Sequence, residues 1–191
     1  DAAAIEGMRK IDTLIVDKTG TLTEGKPAFD RVVAAPGFSD QEVLQIAASI
    51  DQGSEHPLAH AIVAEAHKQG IKLDKPDSFE SSSGIGVRGE VSGKQIILGN
   101  TALMDTENVD WNILASEAET LRKESASVMY LAADKQLLGL VAVSDPIKAT
   151  TMEALETLKQ EGLNVVMATG DGLTTAKSVA ARLGIDEVYG E

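Results

Sequence analysis

Asp17-Lys18-Thr19-Gly20-Thr21-Leu22-Thr23 follows directly on Leu14-Ile15-Val16. The three apolar residues read as a short buried strand, so an acidic residue stands at a strand's carboxyl end. In open α/β sheets ligands bind at that end. Lys18 adds a cation, Thr19, Thr21 and Thr23 add hydroxyls, and Gly20 lets the backbone turn sharply. A carboxylate so placed can attack phosphorus and form an acyl phosphate. On Asp17 to Gly20 alone an ordinary turn is an equal alternative, because Asp and Gly are turn formers in their own right.

A second loop has the same setting. Asn164 to Ala168 reads as an apolar strand, and Thr169-Gly170-Asp171-Gly172 then opens a helix over Leu173 to Leu183. The amides at such a helix start favour a phosphate. The simpler alternative is a strand-to-helix turn capped by Asp171. Two loops that each follow a strand are expected at one sheet edge.

Between these flanks the pattern changes. Phe29 to Ala34 reads as a strand. Ser39 and Glu42 have capping-box spacing ahead of a helix with Val43, Ile46, Ala47 and Ile50 on one face. Pro57 suits the first turn of a second helix, with Leu58, Ala61, Ile62 and Ala66 inward and Gly70 at its end. Glycines 84, 86, 89 and 93 then punctuate short strands. Thr101 to Met104 is a short helical turn, and Asp110 caps a helix through Ile113, Leu114 and Leu121. Two strands follow, Ser127 to Ala132 and Gln136 to Val143. Asp145-Pro146 starts a helix with Met152, Leu155 and Leu158 inward, and Glu187 to Tyr189 begins a last strand. Ala2 to Arg9 is mildly helical. Thr23 to Pro27, with a Gly and a Pro, suits a hinge.

The fold class is therefore α/β: a discontinuous parallel-sheet domain, residues 1–27 and 144–191, carrying an inserted α+β domain, residues 28–143, with an antiparallel sheet. Composition narrows the functions. A net charge of −13 opposes nucleic acid and anionic lipid, and 3% aromatics leaves no base-stacking platform. The absence of cysteine excludes disulfides and thiolate metal sites. No apolar run approaches the ~20 residues of a membrane span, so a soluble, cytoplasmic chain is expected.

The heptapeptide at 17–23 resembles, at every position, the phosphorylation signature of the P-type ATPases, a branch of the haloacid dehalogenase superfamily. The insert resembles the nucleotide-binding domain of the heavy-metal-transporting subgroup, through Ser54-Glu55-His56-Pro57-Leu58, Gly84-Ile85-Gly86 and Gly99-Asn100. That likeness implies that His56, with Glu55 beside it, meets the adenine ring of ATP, and that Gly84, Gly86, Gly99 and Asn100 line the pocket. The family carries Glu five residues before the His, where this chain has Asp51. In the other domain the likeness makes Asp17 the nucleophile. It makes the Asp17 carboxylate and the Thr19 carbonyl ligands of Mg²⁺, an oxygen set that suits this ion. Lys18, Thr169, Gly170 and Asp171 would meet the phosphates, and Asp145 with Lys148 resembles the family's hinge pair. Asn often follows Thr-Gly-Asp in the family, where this chain has Gly172.

Soluble relatives of the superfamily carry a second Asp two residues after the nucleophile, as general acid and base. Thr19 occupies that position, so the acyl phosphate is expected to persist, as a pump requires. The resemblance also implies that the chain is a piece of a pump, with ATP and Mg²⁺ as its cofactors and copper or silver as the exported metal. Its partners would be the membrane and actuator portions, placing it at the cytoplasmic face of a membrane. The family continues past the point matching Glu191 with a lysine and a Gly-Asp-Gly-x-Asn-Asp loop, so the piece is expected to turn ATP over poorly. The rival readings are a soluble phosphatase with a cap domain and a non-catalytic interaction module.

Overall fold

The computed structural model describes residues 11–82, 84–170 and 172–190. The Ala2 to Arg9 stretch and Asp171 lie outside them. Contacts group the chain into two units, Asp1–Lys26 with Asp145–Glu191, and Pro27–Ser144.

The first unit is built on a parallel sheet. Strands β1 (Thr13–Asp17), β8 (Asn164–Ala168) and β9 (Glu187–Tyr189) lie in the order β1-β8-β9. Alternation decides which side chains reach the core. Val16, Val165, Met167 and Val188 share one cluster with Leu155 and Leu158 of α5 (Thr151–Gln160) and Val179, Ala180 and Leu183 of α6 (Leu173–Leu183). Ile15, one position out of phase, is 68% exposed on the edge strand.

The second unit holds a six-stranded antiparallel sheet. Its strands are β2 (Ala28–Ala34), β3 (Ser78–Ser82), β4 (Gly86–Val91), β5 (Lys94–Gly99), β6 (Ser127–Ala133) and β7 (Gln136–Ser144), in the order β2-β7-β6-β5-β4-β3. Helices α1 (Asp40–Asp51) and α2 (Pro57–Lys68) pack on one face, where Val43, Ala47, Ile50 and Ile62 meet Leu131, Leu138, Val141 and Val143. The other face carries Leu103 and Met104 of α3 (Thr101–Thr106) and Ala118 and Leu121 of α4 (Ala115–Lys123), against Tyr130, Ala132, Leu140 and Ala142. This double cover explains why Leu137 to Val143 is an unbroken apolar run: both faces of β7 are interior. Each large aliphatic side chain so buried contributes roughly 1.5–3 kcal/mol.

Local signals hold where they are self-contained. The Ser39 hydroxyl accepts from the Glu42 N–H and the Glu42 carboxylate accepts from the Ser39 N–H, so both halves of the capping box form. Asp134 and Lys135 turn the β6–β7 hairpin with φ of 48° and 68°, the positive pair that a tight hairpin demands.

Two expectations need correction. The helix after Asp145-Pro146 starts only at Thr151. Ile147 instead forms a β-bridge with Thr23, and Met152 is 45% exposed. Asp110 accepts from the Asn112 N–H, but this opens a single tight turn at Asn112–Leu114; α4 begins at Ala115, and Ile113 points outward at 57% exposure. The unit boundary falls between Lys26 and Pro27, within the stretch that suits a hinge, and Thr23 at the head of that stretch is fully buried and hydrogen-bonded.

Candidate active site and nucleotide pocket

Asp17 ends β1 and faces Ala168 of β8 in register, so the Asp17 loop and the Thr169 loop leave neighbouring parallel strands at the same edge. The Asp17 side chain is exposed there. Lys18–Leu22 then forms one wide turn, closed by the Thr23 N–H donating to the Lys18 carbonyl at 3.1 Å. Gly20 sits at φ 76°, a conformation that costs other residues about 1 kcal/mol or more. Lys18 is only 6% exposed, and Thr19 is exposed.

Residues far away in sequence brace this turn. The Thr23 hydroxyl accepts from the Gly20 N–H at 3.2 Å and lies 3.1 Å from the Lys18 carbonyl and 2.5 Å from the Asp145 carboxylate. Asp145 therefore caps no helix. Its second oxygen accepts from the Lys26 N–H at 3.2 Å. The Lys148 ammonium donates to the Gly20 carbonyl at 2.6 Å, and the Thr151 hydroxyl to the Leu22 carbonyl at 2.8 Å. The turn that carries Asp17 is thus tied at Lys18, Gly20 and Leu22. Nothing within 17–23 predicts these ties; only the polar residues spaced along 145–151 hint at them.

On the second loop, Thr169 donates its N–H to the Tyr189 carbonyl at 2.9 Å, and Gly170 is exposed. Gly172 stands at the N-cap of α6 and has no side chain with which to cap it.

In the second unit the expected residues fall into two groups. Asp51 is the last residue of α1 and only 4% exposed. Burial pushes its carboxyl up from 3.8 to about 7. Glu55 and His56 are exposed. His56 caps α2: its Nδ1 accepts from the Leu58 N–H at 3.2 Å, so the neutral ring carries its proton on Nε2, the nitrogen left to meet a ligand.

The other group is a knot of backbone. Gly86 of β4 pairs with Gly99 of β5. A Cβ on Gly86 would lie 2.4 Å from the Leu98 carbonyl oxygen, and one on Gly99 would lie 2.3 Å from that of Ile85. These glycines are required by the approach of two strands, not only by a ligand. Asn100 donates from its backbone N–H to the Ile85 carbonyl at 3.0 Å and from Nδ2 to the Gly84 carbonyl at 2.9 Å. Strands β3 and β4 link the two groups. Gly53, between Asp51 and His56, lies so close to Phe79 of β3 that a Cβ there would sit 2.7 Å from the ring, while Ile50 of α1 packs over Gly89 of β4. A separate depression of about 300 Å³, lined in part by Pro36, Ile113 and Leu137, includes none of the expected residues.

A family model described as a haloacid dehalogenase-like hydrolase matches residues 11–191. The chain is 44% identical over 188 residues to a silver exporting P-type ATPase of Salmonella typhimurium, covering 98% of this chain and 23% of that protein. It is 46% identical over 188 residues to a copper-transporting P-type ATPase of Rhizobium leguminosarum bv. viciae, covering 98% of this chain and 22% of that one. The chain therefore spans less than a quarter of the length of these relatives. A solved catalytic domain of the CPx-ATPase CopB-B superposes with a TM-score of 0.71 at 30% identity, covering 100% of this chain and 64% of that domain.

Proposed function

The chain belongs to the haloacid dehalogenase-like hydrolases, and on that footing we propose that it is the nucleotide-binding and phosphorylation portion of an ATP-driven copper- or silver-exporting P-type ATPase. The observation that carries this reading is the exposed Asp17 carboxylate at the tip of β1, on a braced turn beside the Thr169 loop. In the whole pump an Asp17 oxygen attacks the γ-phosphorus of ATP. The bond from that phosphorus to the β–γ bridging oxygen breaks, ADP leaves with the electron pair, and an aspartyl phosphate remains.

The surrounding residues suit that step. Lys18 places a cation next to the nucleophile, and the uncapped start of α6 offers amides to phosphate oxygens. Thr19 has no acidic proton to give or take, so water is not activated against the acyl phosphate. The Asp17 carboxylate and Thr19 carbonyl are hard oxygen donors, and no cluster of three His, Cys, Asp or Glu exists among the described residues. Hard oxygen donors of this kind suit Mg²⁺. When bound, the ion neutralises phosphate charge.

In the second unit, His56, Asp51 and the Gly84–Gly86 turn hold the adenine end. The partners are the membrane and actuator portions of the pump, and the place of action is the cytoplasmic face of a membrane. No helix among the described residues is long and apolar enough to cross one. Titration of the chain with Mg-ATP tests the reading. His56→Gln should weaken binding about tenfold, the value of one good contact. Equal affinities would remove His56 from the pocket.

A further inference from the structure

We infer that Asn100 is a positioning residue for the nucleotide pocket, acting through the Gly84–Gly86 turn and not by touching the nucleotide. The inference rests on the nucleotide-binding reading above and assigns Asn100 a different part in it.

The tip of the turn, ahead of Gly86, has few side-chain contacts to hold it. Gly84 has φ 72° and no atom within 4 Å of where a side chain would begin, and Ile85 is 41% exposed. Gly86 is held in the ladder opposite Gly99, but side-chain packing does not fix residues 84 and 85, and glycine's backbone freedom at 84 works against a single conformation. Hydrogen bonds do the locating. Ile85 donates its N–H to the Ser82 carbonyl at 3.1 Å, and two further bonds come from Asn100. Its backbone N–H takes the Ile85 carbonyl and its Nδ2 takes the Gly84 carbonyl.

The other end of the same amide is also committed. Oδ1 accepts from the Leu103 N–H at 3.1 Å and caps α3. Bonds at both ends fix the plane of the amide, so Asn100 cannot swing toward a ligand without releasing either the turn or the helix. The far end of α3 is tied to the strand that this turn leads into: Glu107, its C-cap, pairs with Arg88 of β4 at 2.9 Å. Helix α3 is thereby stitched at its start to the turn and at its end to β4, and Asn100 is the stitch at the turn.

The test titrates Mg-ATP into the full chain and its Asn100→Ser variant and compares their melting temperatures. Serine keeps an N-cap oxygen and adds no charge, but it is too short to reach the Gly84 carbonyl. The expected result is a Tm within a few degrees of wild type and a Kd raised roughly five- to tenfold. Gly84→Ala loosens the turn from the other side. The double variant should bind no worse than the weaker single, because both act on one element. Wild-type affinity in Asn100→Ser, or losses that add in the double variant, would overturn the inference while leaving the pocket in place. Failure of the wild-type chain to bind Mg-ATP would instead overturn the nucleotide-binding reading, and this inference with it. If Asn100→Ser melts far below wild type, Asn100→Thr, another capping residue, replaces it in the same comparison.

Discussion

The Thr23 hydroxyl lies 2.5 Å from the Asp145 carboxylate, joining residues 122 positions apart beside the Asp17 turn. The hydroxyl also accepts from the Gly20 N–H, and the same carboxylate accepts from the Lys26 N–H. One buried side chain therefore couples the shape of the turn to the segment that starts at Asp145. Thr23→Val keeps the volume but strands a carboxylate and an amide. It should destabilise the first unit by about 2–4 kcal/mol, whereas Thr23→Ser should cost under about 1 kcal/mol. Denaturant unfolding of both variants checks this.

Asp51 makes stability depend on pH. Its folded value of about 7 lies above the 3.8 of an unperturbed carboxyl. Between these values the folded chain binds more protons than the unfolded one, so this contribution is full below about pH 4 and is lost as pH rises through about 7. The loss amounts to at most about 4 kcal/mol, at 1.36 kcal/mol for each unit. Asp51→Asn should remove that slope and leave the chain more stable than wild type at pH 8. Unfolding measured from pH 5 to 8 in both proteins reads it.

His56 has two separable jobs. Its Nδ1 caps α2, and its Nε2 is the nitrogen assigned to the nucleotide. His56→Asn retains a capping oxygen, so stability should hardly change; His56→Ala should cost about 1 kcal/mol. Both should lose Mg-ATP affinity to a similar extent. Thermal melts beside titrations separate the two effects.

The paired glycines differ from their neighbour. Gly86→Ala would press a Cβ to within 2.4 Å of the Leu98 carbonyl oxygen, and the β4–β5 pairing must give way. Loss of about 3 kcal/mol or more is expected. Gly84→Ala meets open space and bears only the cost of a positive φ, about 1–2 kcal/mol. Urea unfolding midpoints of the two variants should differ accordingly.

What could be read from the sequence follows from how local each cause is. Asn164 to Ala168 announces a strand because the burial of Val165, Val166 and Met167 imposes an apolar run; Leu14 to Val16 reads the same way although Ile15 is 68% exposed on the edge strand, and Asp17 stands out because it ends that run. The Ser39–Glu42 box and the Pro57 helix start are complete within four residues. Asp145-Pro146 misled for the opposite reason. Its spacing suits an N-cap, yet the carboxylate is recruited by Thr23 and Lys26, and Ile147 is drawn into a bridge with Thr23. The helix starts late as a result, and Met152 lies exposed in its first turn while Leu155 and Leu158 still face the core. Gly86 and Gly99 read as ligand glycines; the close approach of two strands demands them as well, which no single-sequence pattern reveals. Asn100 was legible as part of a Gly-Asn pair; its grip on the Gly84 carbonyl was not.

The central claim is that this chain holds ATP in its second unit for transfer to Asp17. Backbone amide chemical shifts, followed as Mg-ATP is added to the isotopically labelled chain, test the nucleotide half of it directly. The account predicts saturable shifts concentrated at Asp51, Glu55, His56, Gly84, Gly86 and Asn100. Saturable shifts elsewhere with these six unmoved, or no saturable change at all, would contradict it.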